Sequence, residues 1–149
     1  MESNNYEQLM LKNQLCFPLY VCSKEIIRRY APFLDKIDLT YTQYITMMAM
    51  WEHKKLTSKQ LGKIMYLDSG TLTPLLKKLE AKGYITRSRS ENDERNLIIE
   101  ITKEGEKLKE MAADIPKGIS ACVSLSEEEA KCLYSVLYKM IDNFREIEK

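Results

Sequence analysis

Apolar residues recur at helical spacing over most of the chain and switch to alternation only near its middle, between residues 84 and 101. Three helix starts carry the same device. Thr40 with Gln43, Thr57 with Gln60 and Ser126 with Glu129 each match a capping box, in which two side chains satisfy backbone N–H groups that a helix start leaves unpaired. They predict helices over about 41–53, 58–65 and 127–147, the last with Leu133, Leu137, Met140, Ile141, Phe144 and Ile147 along one stripe. Residues 7–30 place Leu15, Leu19, Cys22, Ile26 and Tyr30 at helical spacing, and residues 102–121 read as a helix interrupted by Pro116 and Gly118. Pro18 disturbs the first of these. In a regular helix interior it removes one backbone bond and presses on the Gln14 carbonyl, at a cost of ~3 kcal/mol, so either a kink near Gln14–Pro18, the preferred reading, or a later helix start is expected.

The middle segment, TSKQLGKIMYLDSGTLTPLLKKLEAKGYITRSRSENDERNLIIEI (57–101), gives a short helix, a tight turn, a second helix, then two strands joined by a charged loop. That order predicts a winged helix-turn-helix within a mostly α fold with a small β wing (α+β). We expect a single domain over 1–149, with this module at 57–101 and dimerisation helices at 1–38 and 102–149. The outer helices have apolar stripes longer than the module's own core needs. Interleaved in a two-fold homodimer, they would present two recognition helices to half-sites roughly 34–36 Å apart, hence to a pseudo-palindromic site on double-stranded DNA.

The second helix of the module, 68–82, divides cleanly at 100° per residue. Leu72, Leu75, Leu76 and Leu79 fall together and must pack inward. The opposite side holds Gly70, Thr73, Pro74, Lys77 and Ala81, with Thr71 and Lys78 at its edges. Small residues allow close approach to base edges, a threonine hydroxyl donates or accepts, and its methyl can touch thymine. Asp68 is placed to cap the helix, Ser69 follows at the positive N-terminus where a phosphate can bind, and Lys77 and Lys78 read as phosphate contacts. Pro74 falls early enough to loosen the turn near Gly70. In the wing, Leu97, Ile99 and Ile101 alternate as one buried face, and Arg95 sits near the tip of the loop 90–96, suited to a narrow, negative minor groove. Asp93 is placed to brace the Arg95 guanidinium.

Charge agrees with this assignment. The net charge of +1 conceals ten Lys/Arg against five Asp/Glu between residues 54 and 95, while both flanking segments are net negative. Positive charge therefore gathers on the module that must meet phosphate. A length of 149 residues with 44% hydrophobic and 30% charged positions predicts a globular chain. No apolar stretch is long enough to span a membrane, and no basic-then-apolar leader is seen. Cys16, Cys22, Cys122 and Cys132 form no CxxC pair, and His53 is the only histidine, so no metal site and no cofactor are expected. A reduced, cytoplasmic protein with free thiols is the simplest expectation. The Met47–Met48–Met50–Trp51 cluster reads as core, and His53 as a helix-end residue.

The DSGTLTPLLKKLEAKG block (68–83), with Asp93-Glu94-Arg95 in the wing, resembles the MarR family of regulators over nearly the whole length. NQLCFPLY (13–20), LTYTQY (39–44) and YLDSGTLTPLLKKLE (66–80) resemble more narrowly its organic hydroperoxide resistance branch. The resemblance implies a repressor that leaves DNA when a cysteine matching Cys16 is oxidised by an organic hydroperoxide, with tyrosines matching Tyr30 and Tyr41 hydrogen-bonded to that sulfur. It also implies Cys122 as a candidate resolving thiol, with Cys132 as an alternative. The chain departs from the pattern at Pro18, where the family often has Ala, and at Asn96, where a second arginine is common. A related branch of staphylococcal global regulators shares these motifs.

Chemistry bears on the sensor directly. A thiolate, not a thiol, is oxidised, to sulfenic acid first, which a second thiol can trap as a disulfide. Leu15, Phe17 and Leu19 around Cys16 suit an apolar hydroperoxide. Two other functions stay open: a regulator of the same family that answers a small phenolic ligand, its cysteines structural, and a thiol peroxidase. The lack of a CxxC on a βαβ unit, with one histidine, argues against an enzyme.

Overall fold

A computed structural model of the chain describes residues 6–93 and 95–147; Glu94 of the expected wing, residues 1–5 of the first arm and the Ile147 side chain lie outside the described set. Two 3-10 turns (Tyr6–Leu9, Leu11–Asn13) precede α1 (Cys16–Leu34), a further 3-10 turn (Asp35–Ile37) and α2 (Tyr41–His53). A short strand β1 (Lys55–Thr57), α3 (Ser58–Met65) and α4 (Ser69–Ala81) follow, then β2 (Ile85–Arg89), β3 (Leu97–Ile101), α5 (Lys103–Ala112), α6 (Ile115–Val123) and α7 (Glu127–Ile147). The fold is mostly helical, with one antiparallel sheet in the order β1-β3-β2.

All three expected capping boxes form. Thr40 Oγ1 accepts the Gln43 N–H at 3.3 Å while Gln43 Oε1 accepts the Thr40 N–H at 3.0 Å. The same reciprocal pairs close Thr57 with Gln60 and Ser126 with Glu129. A fourth cap, Thr102 Oγ1 accepting the Gly105 N–H at 3.0 Å, starts α5.

Proline decides where two expected helices differ. The first does not span 7–30 and does not kink at Pro18; α1 begins at Cys16, which puts Pro18 in the first turn, where a missing N–H removes no helical bond. The helix then continues to Leu34, past Pro32. The expected helix 102–121 breaks after Ala112 rather than at Pro116 and Gly118. The chain turns at Ala113–Asp114, and Pro116 falls in the first turn of a new helix, where its missing N–H removes no helical bond, and that helix carries Gly118 without interruption.

The backbone divides into two compact units, Met1–Ile115 and Pro116–Lys149. In the first, Met47, Met50, Leu61, Leu76, Leu79 and Ile99 are fully buried, so the Met–Trp cluster is core, although Met48 points outward. Trp51 is buried and its Nε1 donates to the Gly105 carbonyl at 2.8 Å, tying α2 to the start of α5. In the sheet, Leu56 and Arg87 flank Ile99 from either side. Of the three residues expected to alternate as one buried face, Ile99 is fully buried while Leu97 and Ile101 are half-buried; Ile85 of β2 is fully buried beside them. The third strand, β1, escaped sequence reading because three residues are too few to show alternation. In the second unit, α7 leaves Leu133, Tyr134, Val136, Tyr138 and Phe144 exposed. No helix among the described residues is long and apolar enough to cross a membrane.

The crossing of α5 over the strand entry admits only glycine. A Cβ on Gly105 would stand 2.2 Å from the Tyr84 carbonyl oxygen and 2.8 Å from Ile101 Cγ1. Gly105→Ala should therefore destabilise the protein by about 1–3 kcal/mol, the usual cost of overpacking, read as a lower urea midpoint at unchanged slope.

Candidate DNA interface and thiol site

The turn between α3 and α4 is built from two local devices. Tyr66 ends α3 in the left-handed region (φ 54) and the Leu67 N–H returns to the Gly62 carbonyl at 3.0 Å. A Cβ on Gly62 would meet the Leu67 oxygen at 2.9 Å, so the chain can double back this tightly only past a glycine. Asp68 then caps α4. Its carboxylate accepts the Thr71 N–H at 2.8 Å and the Thr71 hydroxyl at 3.2 Å. These bonds, the Thr71 amide first, hold the Asp68 carboxyl below its ordinary value.

On α4, Leu72, Leu75, Leu76 and Leu79 are buried, while Ser69, Gly70, Thr71, Thr73, Pro74, Lys77 and Lys78 are all exposed on the other side. The helix is continuous through Pro74, which supplies no N–H to the Gly70 carbonyl one turn back. Both threonine hydroxyls are engaged as donors inside the helix, Thr71 to Asp68 and Thr73 to the Ser69 carbonyl at 2.8 Å. Toward a ligand they present lone pairs and methyl groups.

Arg95 is exposed in the wing loop, which closes through Ser90 N–H to the Asn96 carbonyl at 2.9 Å. Asp93 does not brace the guanidinium as expected. Its carboxylate accepts the Arg95 backbone N–H and the Asn96 side-chain amide, each at 3.0 Å. An acceptor two residues ahead of a turn N–H is satisfied locally, before a flexible guanidinium can compete for it. Asn96, where the family commonly has a second arginine, thus stitches the loop.

Four of the ten basic residues between 54 and 95 are engaged within the fold: Lys54 with Glu106, Lys55 with Glu100, Lys82 with Asp38, and Arg87 with Glu80. Sequence reading counted all ten toward phosphate; the exposed remainder includes Lys59, Lys77, Lys78, Arg89 and Arg95. A cleft of about 260 Å³ lies between the first turn of α2 and α4, lined by Thr40, Thr42, Gln43, Leu67, Thr71, Pro74, Leu75 and Lys78.

The thiol residues fall in three places. Cys16 is exposed at the first position of α1, where the helix offers unpaired N–H groups. Tyr30 and Tyr41 meet at a tilt across the α1–α2 corner, ring centroids 4.9 Å apart, with Tyr44 5.8 Å from Tyr30. Burial raises the pKa of all three phenols above 10.0, so each keeps its proton as a donor at neutral pH. The fold brings the tyrosines together but not to Cys16 of the same chain: fourteen residues of helix set Tyr30 roughly 21 Å along α1 from it. Cys122 on α6 and Cys132 on α7 are exposed in the second unit, and Cys22 is exposed on α1. Tyr44, fully buried beside Trp51, was not singled out from sequence, because nothing in its spacing separates it from ordinary core.

A family model described as "Transcriptional regulator SarA/Rot" matches residues 28–112. The chain is 47% identical to the organic hydroperoxide resistance transcriptional regulator of Bacillus subtilis over 143 residues, covering 96% of this chain and 97% of that one. It is also 47% identical to the regulator SarZ of Staphylococcus aureus, covering 91% of each. Among solved structures, reduced AbfR bound to DNA superimposes with a TM-score of 0.76 at 35% identity, over 93% of this chain and 96% of that one. AbfR, from Staphylococcus epidermidis, has also been solved with a disulfide formed, at a TM-score of 0.64 and 35% identity over 91% and 95% of the two chains.

Two outcomes test the α4 surface. Lys77→Ala should weaken binding to all duplexes alike and lower the slope of log K against log salt by about one. Asp68 favours its charged form in the fold, so its stabilisation is complete above the ordinary 3.8 and is lost as pH falls through the lowered folded value. Asp68→Asn, still an acceptor but unable to ionise, should melt below the parent at pH 7 and converge with it in acid.

Proposed function

We propose that this chain, which belongs to the MarR family of transcriptional regulators in its organic hydroperoxide resistance branch, is a homodimeric repressor that leaves DNA when Cys16 is oxidised by an organic hydroperoxide. DNA binding and transcriptional regulation come with the family. In our reading, α4 enters the major groove with Ser69, Gly70, Thr71, Thr73 and Pro74 near base edges and Lys77 and Lys78 near phosphates, while Arg95 enters the flanking minor groove.

The dimer is supported by what one chain leaves uncovered. Leu9, Leu11, Leu15, Phe17, Tyr20 and Ile27 near the start, with Leu133, Val136 and Phe144 in α7, are exposed in the single chain. Burying side chains of this size is worth ~1.5–3 kcal/mol each, which favours covering them with a second copy. The dimer also meets a requirement of the sensor. With Cys16 and the Tyr30–Tyr41 pair at opposite ends of α1, only a second, oppositely running chain can bring those two phenols to the sulfur.

The step balances simply. The Cys16 thiolate attacks the distal peroxide oxygen, the O–O bond breaks, an alcohol leaves after taking a proton, and sulfur becomes a sulfenic acid. A second thiol, Cys122 in our reading, can then displace water to give a disulfide; Cys132 is the alternative. We take the protein to be a sensor without turnover, not an enzyme.

The single observation that carries this reading is the position of Cys16, exposed on a helix start among apolar residues. Cumene hydroperoxide should release the parent protein from a bound duplex in a gel-shift assay, and Cys16→Ser should stay bound. Release of that variant would sink the sensor and favour the second reading, a small phenolic ligand, to which the cleft beside Thr71 and Lys78 gives a place.

A further inference from the structure

Glu80 and Arg87 join the two elements that the proposed interface uses. Glu80 lies in the last turn of α4, and Arg87 is central in β2, which packs against that helix. Arg87 Nε and one terminal nitrogen donate to Glu80 Oε2 at 2.9 and 2.6 Å, and the Arg87 backbone N–H donates to Glu80 Oε1 at 3.1 Å. The Arg87 side chain is only 19% exposed. A planar fork with a third, backbone bond fixes direction as well as distance, which a single ammonium–carboxylate contact does not.

Its place in the sheet matters as much as its geometry. β1 pairs with Ile98, Ile99 and Glu100, so beyond Ile98 the sheet thins to the two strands that carry the loop, ending at the pair Arg89–Leu97. Arg87 stands opposite Ile99, at the last stretch where three strands run together. A two-stranded ribbon is compliant on its own. Its direction relative to α4 is therefore set where Glu80 grips Arg87.

We propose that the Glu80–Arg87 pair is a positioning device that holds the wing at a fixed angle to the recognition helix, and so sets how strictly the protein reads the A·T pairs flanking its site. Neither residue is assigned a contact with DNA. The inference rests on the reading of the Arg95 loop as a minor-groove wing. It differs from a merely structural role in a specific way: removing Glu80 also removes a negative charge next to the duplex, so general affinity should not fall while flank discrimination does.

The experiment uses the full chain and a duplex that the parent protein selects from a randomised pool, alongside a version with its flanking A·T pairs replaced by G·C. Fluorescence anisotropy should give the parent a roughly tenfold preference for the A·T flanks, the usual scale for mismatched positions. Arg95→Ala should abolish most of that preference. Glu80→Ala and Arg87→Lys should abolish it too, with binding to the G·C-flanked duplex unchanged within about threefold, and adding Arg95→Ala to Glu80→Ala should remove nothing more. The proposal is overturned if Glu80→Ala keeps the flank preference, if both duplexes weaken alike, or if Arg95→Ala costs the Glu80→Ala background as much as the parent. An Arg95→Ala protein indistinguishable from the parent would sink the wing reading, and the proposal with it. Should Glu80→Ala melt far below the parent, Arg87→Lys, which keeps the charge and loses the fork, decides the matter.

Discussion

Four leucines on one side of α4 settle what the other side can do. Leu72, Leu75, Leu76 and Leu79 reach the core together with Met47, Met50, Leu61 and Ile99, and the helix packs at once against α2, α3 and β2. A rod seated on three neighbours cannot roll. Its outer face is therefore a fixed array of small side chains and two lysines, held out by burial on the reverse. Everything else in the first unit serves this seat. The left-handed Tyr66 turn delivers the chain to it, Asp68 starts it, and the Trp51–Gly105 bond closes the layer behind it.

The end of that rod is pinned as well. Lys82, just past α4, donates to both the side chain and the backbone carbonyl of Asp38, at the corner between α1 and α2. The same corner carries the paired rings of Tyr30 and Tyr41. The tyrosine corner and α4 thus share one anchor, although Cys16 lies at the far end of α1. The corner is half-buried and partly polar, a better site for rearrangement than the packed leucine seat.

Much of this was legible in the chain because it is local. Capping boxes are four-residue devices, and the leucine stripe of α4 is a periodicity, so both survive translation into structure unchanged. The failures share a cause in neighbouring residues that a pattern does not weigh. Pro18 and Pro116 read as interruptions, yet each sits in the first turn of a helix, where its missing N–H costs nothing. Asp93 was matched to the nearest cation by charge, whereas backbone and amide donors in its own turn were closer. The β1 strand and the Glu80–Arg87 and Asp38–Lys82 pairs depend on residues 7 to 45 positions apart meeting in space. No periodicity announces them. Counting charge overstated the interface for the same reason: an arginine in sequence looks identical whether it faces phosphate or a carboxylate of its own fold.

The two threonines of α4 point to an unusual vocabulary. With their hydroxyl protons committed to Asp68 and Ser69, and with no arginine, asparagine or glutamine anywhere on the helix, the exposed face lacks the forked partners that distinguish guanine or adenine by paired bonds. Apart from its two lysines, what it can offer is oxygen to exocyclic amines and carbon to the 5-methyl of thymine. In the proposed dimer, a reader so equipped gains little from any single letter and draws its selectivity from groove shape and from the agreement of two half-sites.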